Sequence, residues 1–538
     1  MRPTRDSAPT LAGLSQGLTL ISAALMVQPD RARPASPANA APPSLPEAER
    51  PRPRRGFRLR RVGGYPLLGC LLAALVSLPV GHAGAAPGDL DLSFGEGGIL
   101  YVGRGGTAER INSLLADANG AVFAGGALQI PSGGAGSGDD MSVLRLLGDG
   151  QLDPAFANGG LLQVGLGGDS EYVTAMVRQP DGRIVAVGAL EPSANTDFGV
   201  IRFDEAGRLD EAFGDADPAR PGLRRGLTHF NMGPNNSSND EARAVALQSD
   251  GRIIVAGTGF AVDGNFTYPR FAIARLTADG RLDASFGNAG RVIAAPTQAQ
   301  VSEYVTAIAL DADGQLSGDD GFVVVGYVFA RSTAIVRRYL ADGQPDLSFG
   351  SAGQVVLVDA NSGGVRSGLS RIDDAVLQPD GGIVLLGRGG DRGFAFLRLH
   401  ADGSLDTDFG SHGRTLVKFS SSTDHDEPAM LRLQRDGKLV AAGYATGRIG
   451  NVSGSDFASV RLLANGRIDS GYGDGSGRST YPLVEGADEA RAVAVLSDGS
   501  LLLAGYADRV PGAGRDDDAA FLRLQGDPGL FANGFEDF

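Results

Sequence analysis

Short apolar runs that end in glycine recur along the chain from Leu90 towards the C-terminus. RIVAVG, RIIVAG and KLVAAG begin at Arg183, Arg252 and Lys438. Each run follows an Asp-Gly or Asn-Gly pair, which tolerates the positive backbone angles of tight hairpin turns. The pattern therefore predicts adjacent antiparallel strands. The pairs are Asn119-Gly120, Asp181-Gly182, Asp250-Gly251, Asp313-Gly314, Asp380-Gly381, Asp436-Gly437 and Asp498-Gly499.

A second marker, LDxxFG, divides the chain into seven repeats. Its aromatic residue follows an Asp by three positions, and successive aromatic residues are 57 to 73 residues apart. Repetition at a nearly fixed period is typical of a solenoid or a propeller. The aromatic residues are Phe94, Phe156, Phe213, Phe286, Phe349, Phe409 and Tyr472, and the aspartates are Asp91, Asp153, Asp210, Asp283, Asp346, Asp406 and Asp469.

Each repeat is predicted to contain four strands. One strand follows LDxxFG, two flank the Asp-Gly turn, and a fourth carries an Arg at a fixed place: Arg145, Arg202, Arg275, Arg338, Arg398, Arg461 and Arg523. We therefore predict an all-β protein, a seven-bladed β-propeller built from four-stranded repeats of about 60 residues. A parallel β-helix is the alternative, but its coils are usually shorter. Radial closure also removes the exposed edge strands of an open array.

These motifs resemble the delta-60 repeat family, bacterial β-propeller repeat proteins of no established function. The resemblance rests on LDLSFGEGG at Leu90, LDASFGNAG at Leu282 and the LQPDG turn at Leu377, and it extends from Leu90 to about Leu524. It implies the propeller fold and supplies no catalytic residue.

The N-terminal part predicts export. A basic stretch is followed by the apolar run Leu67–Leu78 and then by Ala83-Gly84-Ala85, the order found in secretory signal peptides. Cys70 lies inside the apolar run, so attachment of a lipid to it is a weak alternative. We expect an extracellular, cell-surface or periplasmic location. The predicted segments are a disordered extension, or sequence upstream of the true start, at 1–61, the signal peptide at 62–85, the propeller at 86–526 and a tail at 527–538.

The tail has two interpretations. LFANGFEDF from Leu530 is similar to the FxxGFE endings of some exported proteins. It also continues DPGLFANG from Asp527, which would be an incomplete eighth LDxxFG segment that helps to close the ring.

Charge narrows the choice of partners. Without residues 1–85, which hold 11 of the 48 basic and 4 of the 63 acidic residues, the formal net charge is −22. Such a protein is not expected to bind nucleic acid or an anionic membrane. We expect a monomer without a transmembrane segment whose partner is a cell-envelope polymer or a protein. The remaining chain has no cysteine, which excludes disulfides and thiolate sites.

One end of the propeller is predicted to carry any binding site. The Asp-Gly turns and LDxxFG segments fall on one end, the turn end, and connections of variable length fall on the other, the divergent end. Binding sites usually lie on variable loops held by a rigid scaffold, although such loops also drift without function. The variable connections are Gln129–Asp140, Thr228–Asp240, Phe260–Pro269, Ala445–Asp456 and Ala507–Asp518.

A ring of carboxylates is predicted at the divergent end. Six of the seven repeats have an acid eleven residues before the turn glycine, and Ser370 replaces it in the other repeat: Glu109, Glu171, Asp240, Glu303, Asp426 and Asp488. Calcium requires several oxygen ligands, so these acids are candidate metal ligands. The favoured alternative is that each acid pairs with an Arg or caps a local turn. The seven repeated Arg are predicted to pair with the LDxxFG aspartates. No other cofactor is expected, and Asp311–Asp320 is interpreted as an expanded hairpin.

No catalytic motif is recognisable. The histidines at 229, 400, 412 and 425 fall at unrelated repeat positions, and no nucleophile elbow or metalloprotease motif is present. We therefore expect a binding or surface interaction module and not an enzyme. The alternative is a secreted hydrolase or lyase that acts on polysaccharide from the divergent end.

Overall fold

The computed structural model describes most of the chain beyond the predicted signal peptide. It describes residues 85–103, 108–128, 139–168, 170–233, 239–310, 316, 320–329, 333–358, 365–366, 368–389, 393–419, 426–449, 452–509 and 517–527. Regular structure within these ranges is entirely β. They include no helix that is long and apolar enough to cross a membrane. The predicted segments 1–61 and 62–85 (apart from Ala85), most of Asp311–Asp320 and the tail beyond Asp527 lie outside the described residues.

The strands form seven sheets, which we number as blades. Strand β1 (Ile99–Val102) comes first in the chain and belongs to the last blade. Blade 1 contains β2 (Arg110–Ala116), β3 (Val122–Leu128), β4 (Asp140–Leu146) and β5 (Leu161–Val164). Blade 2 contains β6 (Tyr172–Arg178), β7 (Ile184–Leu190), β8 (Asp197–Phe203) and β9 (Leu227–Phe230). Blade 3 contains β10 (Glu241–Leu247), β11 (Ile253–Asp263), β12 (Phe266–Leu276) and β13 (Arg291–Ile293).

The other four blades follow the same plan. Blade 4 contains β14 (Glu303–Ile308), β15 (Phe322–Val328), β16 (Thr333–Tyr339), β17 (Gln354–Val358) and the short parallel strand β18 (Val365–Arg366). Blade 5 contains β19 (Leu369–Leu377), β20 (Ile383–Gly389), β21 (Phe394–Leu399) and β22 (Arg414–Val417). Blade 6 contains β23 (Glu427–Leu433), β24 (Leu439–Ile449), β25 (Val452–Leu462) and β26 (Arg478–Tyr481). Blade 7 contains β27 (Asp488–Val495), β28 (Leu501–Asp508), β29 (Asp517–Leu524) and β1.

The predicted seven-bladed propeller of four-stranded antiparallel repeats is confirmed. Each Asp-Gly or Asn-Gly pair outside blade 4 joins the first and second strands of a blade, and the turn glycines have positive φ, for example 89° at Gly182. The first strand of each blade contacts the first strands of both neighbouring blades, and β2 contacts β27. These seven inner strands therefore surround a common axis.

A sequence repeat does not coincide with a blade, because each repeat begins with the last strand of the preceding blade. This offset closes the ring. Each LDxxFG segment lies between the third and fourth strands of a blade, so the first segment completes the last blade. Strand β1 pairs with β29, and Asp91 Oδ2 lies 3.1 Å from Arg523 Nε. Tyr481 donates a hydrogen bond to the Gly88 carbonyl at 2.8 Å. The N-terminal segment thus closes the ring. The segment to which the DPGLFANG hypothesis gave a closing role lies, beyond Asp527, outside the described residues.

The predicted Arg–Asp pairs are confirmed in all seven blades. The N–O distances run from 2.7 Å for Arg202–Asp210 to 3.2 Å for Arg338–Asp346. The pairs also reach the next blade, since Arg275 Nη1 donates to the Ala341 carbonyl at 2.8 Å. Each LDxxFG aromatic residue also packs on a glycine of the neighbouring blade. This glycine lies two residues before the LDxxFG segment of that blade, as Gly343 does where it contacts Phe286. The repeated motif therefore joins blades at the turn end.

Two of the variable connections are not loops. The strands β11 and β12 continue to Asp263 and Phe266, and β24 and β25 continue to Ile449 and Val452. The prediction of loops at Phe260–Pro269 and Ala445–Asp456 was wrong because the ladders extend beyond the blade body. In β11–β12 only Gly264 and Asn265 remain to turn the chain. The divergent end thus carries two projecting hairpins.

Candidate functional site

The six predicted carboxylates occupy equivalent places, one in each of six blades. Each lies at the first position of an inner strand or immediately before it, and all six are buried: Glu109, Glu171, Asp240, Glu303, Asp426 and Asp488. Ser370 stands at this place in blade 5, where its hydroxyl donates to the Arg388 carbonyl at 2.9 Å. The acids therefore lie where the inner strands begin, at the divergent end.

Hydrogen bonds show what these carboxylates do locally. Glu171 accepts from the Leu166 N–H at 2.9 Å, and Asp240 accepts from the Met232 N–H at 2.6 Å. In each case the donor belongs to the connection from the outer strand of the preceding blade. Glu303, Asp426 and Asp488 accept corresponding N–H groups, and Glu303 Oε2 also lies 2.9 Å from Arg337 Nη2.

A carboxylate that accepts backbone N–H groups in this way caps the connection between two blades. In the described part of the chain, no three acid, histidine or cysteine side chains form a group that could hold a metal ion. Binding of calcium by the ring stays a prediction.

Only one carboxylate oxygen of Asp488 is hydrogen-bonded among the described residues. Oδ2 accepts the N–H groups of Leu483 and Val484, whereas Oδ1 has no hydrogen-bond partner among the described residues. Burial, together with the negative charges of Asp456 and Asp508, raises the pKa of Asp488 to about 7. This carboxyl is therefore partly protonated at neutral pH.

A β-bulge interrupts every inner strand at the same place. In β6, Val173 pairs with Gly188 and Ala175 pairs with Val187, so Thr174 is the extra residue. A bulge bends its strand and re-aims a side chain. The extra residues of blades 1 to 7 are Asn112, Thr174, Arg243, Thr306, Asp373, Ala429 and Arg491.

The bulge explains the glycine at the end of each apolar run. A Cβ atom on Gly188 would lie 1.9 Å from the Tyr172 carbonyl oxygen, far inside van der Waals contact. The six equivalent glycines would place a Cβ atom 1.8 to 2.1 Å from the corresponding oxygen: Gly126, Gly257, Gly326, Gly387, Gly443 and Gly505. Glycine on the second strand thus permits the bulge on the inner strand.

The seven extra residues all line one cavity of about 960 Å³. Residues of all seven inner strands contribute to its wall, so the cavity lies on the propeller axis, and we call it the tunnel cavity. A second row, two positions before each bulge residue, lines it in six blades: Arg110, Tyr172, Glu241, Tyr304, Arg371 and Glu427. Apart from Ala429, both rows are polar, charged or aromatic. Such a lining offers many hydrogen-bonding groups to a ligand.

Three aromatic side chains of blade 4 form a cluster at this cavity, two of which line it. Tyr304 and Tyr327 are stacked with ring centroids 5.5 Å apart, and Phe329 meets Tyr304 edge-on at 6.2 Å. Phe329 is largely exposed, with 63% of its surface accessible. Burial raises the pKa of Tyr304 above its ordinary value. The cluster provides an apolar face beside the polar rows.

Blade 5, which adjoins this cluster, contributes a carboxyl that can hold a proton near neutral pH. Asp373 is buried beside Arg371, with which it forms an ion pair, and Arg388 pairs with Glu427 nearby. Burial raises the pKa of Asp373 to about 6, and the negative charge of Glu427 adds to this effect while Arg371 opposes it.

Sequence reasoning found the acid ring but missed the residues that line the cavity. They lie one and three positions after each acid, on the same face of the inner strand. Counting from the acid would have found them. Their chemistry differs from blade to blade, so they leave no repeated motif.

Comparisons with known proteins support the repeat architecture. A family model described as "Domain of unknown function (DUF5122) beta-propeller" matches residues 179–213, 248–286, 378–409 and 434–472. Each match runs from the Gln before an Asp-Gly turn to the next LDxxFG aromatic residue. The chain resembles a β-propeller repeat family. A search of curated proteins found no relative.

Three solved structures are similar to the chain at low sequence identity. The NanB sialidase from Streptococcus pneumoniae, in a complex with a substituted ethanesulfonate, is 10% identical with a TM-score of 0.37, covering 79% of this chain and 70% of the sialidase. A point mutant of that sialidase is 9% identical with a TM-score of 0.38 and the same coverage. Sqt1 from Chaetomium thermophilum is 12% identical with a TM-score of 0.30, covering 76% of this chain and 82% of Sqt1. At these values the likeness carries no argument about activity.

Proposed function

We propose that the protein is an exported binding module that holds its ligand in the tunnel cavity. One observation carries this proposal: the repeats agree at buried positions and differ where the inner strands face the cavity. The capping acid, the bulge and the opposing glycine recur, but the bulge residue is Asn112 in blade 1, Arg243 in blade 3 and Asp373 in blade 5. A specific binding site is expected to combine a repeated scaffold with lining residues that differ from blade to blade.

The lining fits a polymer that bears many polar groups. Thr and Asn side chains, Tyr hydroxyls and Arg guanidinium groups provide donors around the whole ring. Tyr304 and Tyr327 add a face on which a planar or ring-shaped group can pack. The ligand is accordingly a cell-envelope polymer or its end, and the protein acts without turnover.

Two further inferences accompany this function. The basic stretch, apolar run and Ala83-Gly84-Ala85 support export. The repeated LDxxFG and Asp-Gly motifs support assignment of the repeats to the delta-60 type.

Binding of isolated envelope polymers to the protein spanning residues 86–538 tests the proposal. Calorimetry or a glycan array should give a saturable signal that falls at least tenfold in Tyr304→Ala. Phe266→Ala is the control, because Phe266 is exposed on the projecting hairpin of blade 3 and does not line the cavity. An equal loss in both variants, or a loss only in Phe266→Ala, would place binding elsewhere on the divergent end.

A second candidate function is that of a secreted hydrolase or lyase that acts on polysaccharide. The observation that favours it is Asp373, a buried carboxyl in the cavity wall whose raised pKa suits proton transfer near neutral pH. Release of shortened products that stops in Asp373→Asn would support this function. Binding without product release would support the first.

A further inference from the structure

All five arginines that line the described tunnel cavity form an ion pair with an acid. Arg243 Nη2 lies 2.7 Å from Glu241, and Arg491 Nη2 lies 2.8 Å from Glu489. Arg432 is 3.2 Å from Asp374, Arg110 is 3.4 Å from Asp517, and Arg371 pairs with Asp373. Charge in the cavity is therefore organised in pairs.

Within every pair the guanidinium side chain is the more exposed partner. The exposed fractions are 47% for Arg243 against 18% for Glu241, and 39% for Arg371 against 3% for Asp373. For Arg491 the value is 44%, against 16% for Glu489. The acids lie behind the arginines, so the accessible charge is mainly cationic in a protein whose overall charge is strongly negative.

Aromatic rings also hold several of these guanidinium groups in place. Arg110 and Arg491 both lie over the ring of Tyr506, at 5.4 and 5.5 Å from its centroid. Arg371 lies 5.6 Å from the centroid of Tyr327. Cation–π contacts and ion pairs together reduce the freedom of a long side chain, so less entropy is lost when it binds a ligand.

This arrangement favours an oxyanion as ligand. An anion that enters the cavity meets a guanidinium before it meets the carboxylate behind, and Coulomb attraction decreases with distance. The planar fork of Arg donates two parallel hydrogen bonds to a carboxylate or a phosphoryl group. Glu427, an acid that also lines the cavity, is only 14% exposed and pairs with Arg388.

We propose that the tunnel cavity binds the carboxylate or phosphoryl groups of an anionic polymer through its five paired arginines. The proposal rests on the proposed binding function and specifies the chemistry of its ligand. It also gives a role to the five paired acids, which orient the arginines and offset their charge in the unliganded cavity.

The test uses matched probes and calorimetry on the protein spanning residues 86–538. Oligogalacturonate is compared with the same oligomer as its methyl ester, which keeps the sugar chain and removes the charge. Inorganic polyphosphate is the third probe. We expect oligogalacturonate or polyphosphate to bind at least tenfold more tightly than the methyl ester, with an affinity that falls as ionic strength rises. The stronger of the two identifies the anionic group.

Variants locate the effect. Arg371→Gln and Arg491→Gln should each weaken binding of the anionic probe at least tenfold. Arg281→Gln removes the same charge from an exposed side chain at the turn end and should change affinity less than twofold. An equal loss in Arg281→Gln overturns the proposal. Equal binding of the methyl ester also overturns it, although the binding function survives. Failure of all three probes to bind overturns this proposal, and failure of envelope polymers as well overturns the binding function.

Discussion

Replacement of the glycine opposite a bulge should destabilise the propeller through one clash. In Gly188→Ala the new Cβ would lie 1.9 Å from the Tyr172 carbonyl oxygen and 3.1 Å from the Val173 Cα. A normal contact needs about 3.4 Å, so the two strands must separate by about 1.5 Å. That movement breaks about two backbone hydrogen bonds, each worth roughly 1 kcal/mol. Overpacking strain adds about 1–3 kcal/mol.

The expected loss is therefore about 3–5 kcal/mol. An unfolding entropy of about 2.1 cal/mol/K per residue converts this loss into a decrease in Tm of roughly 3–5 °C for a domain of about 440 residues. Differential scanning calorimetry measures the shift. Thr174 would also be displaced, so ligand affinity should fall as well.

Gly447→Ala is the matched control. Gly447 lies in β24, and a Cβ there would meet nothing within 4 Å. Its Tm should stay the same or rise slightly, because alanine restricts the unfolded chain. If Gly188→Ala melts within about 0.5 °C of Gly447→Ala, steric exclusion by the bulge is not the reason for the repeated glycine.

Four further outcomes are expected. Arg275→Met breaks a buried ion pair and an inter-blade hydrogen bond and should cost about 3 kcal/mol of unfolding free energy. The same change at exposed Arg281 should cost less than about 0.5 kcal/mol. Equal losses in urea titrations would show that the Arg275 ion pair does not join the blades. Because the pKa of Asp488 is raised to about 7 in the folded state, its contribution to stability is complete below about pH 4 and is lost as pH rises through 7, by at most about 1.4 kcal/mol per pH unit. Asp488→Asn should therefore flatten the stability profile between pH 5 and 7.5, and an unchanged slope would argue against the raised pKa. If the acids of the ring act as caps, calcium or chelator should shift Tm by less than about 1 °C, since these acids already accept backbone N–H groups. A rise of several degrees with calcium would instead support the predicted metal site. Cleavage after residue 85 would turn the Ala86 nitrogen, which lies 2.7 Å from Asp89 Oδ2, into an α-amino group paired with that carboxylate. The pKa of this amine, followed by NMR, should therefore fall in Asp89→Asn. No change would show that the ion pair does not form.

Local chemistry allowed much of the fold to be predicted from the sequence. Asp-Gly turns determine hairpins through backbone angles, and the fixed separation of eight residues between Arg275 and Asp283 lets them pair across one turn. Such features depend on neighbours in sequence. The repeat therefore predicted the blade count, the meander and the ion pairs at the turn end.

What escaped prediction depends on contacts between distant segments. The assignment of β1 to the last blade depends on pairing with β29, and no local motif states that partner. The tunnel cavity depends on seven inner strands that converge from separate repeats. The extension of β11 and β12 was missed because a run such as FAVDGNFTYP contains turn residues in its centre and gives no sign of where the ladder ends.

Closure by the N-terminal segment sets an order of events for a chain that is synthesised from its N-terminus. Gly88 and Tyr481, which meet in the closed ring, are 393 residues apart in sequence. The earliest part of the propeller to emerge has no partner until almost the whole chain has followed, and contacts of such separation form slowly. A chain cut short before β29 leaves β1 unpaired and the circle open. The closed ring therefore requires all seven blades, because β1 can pair only after β29 has been made.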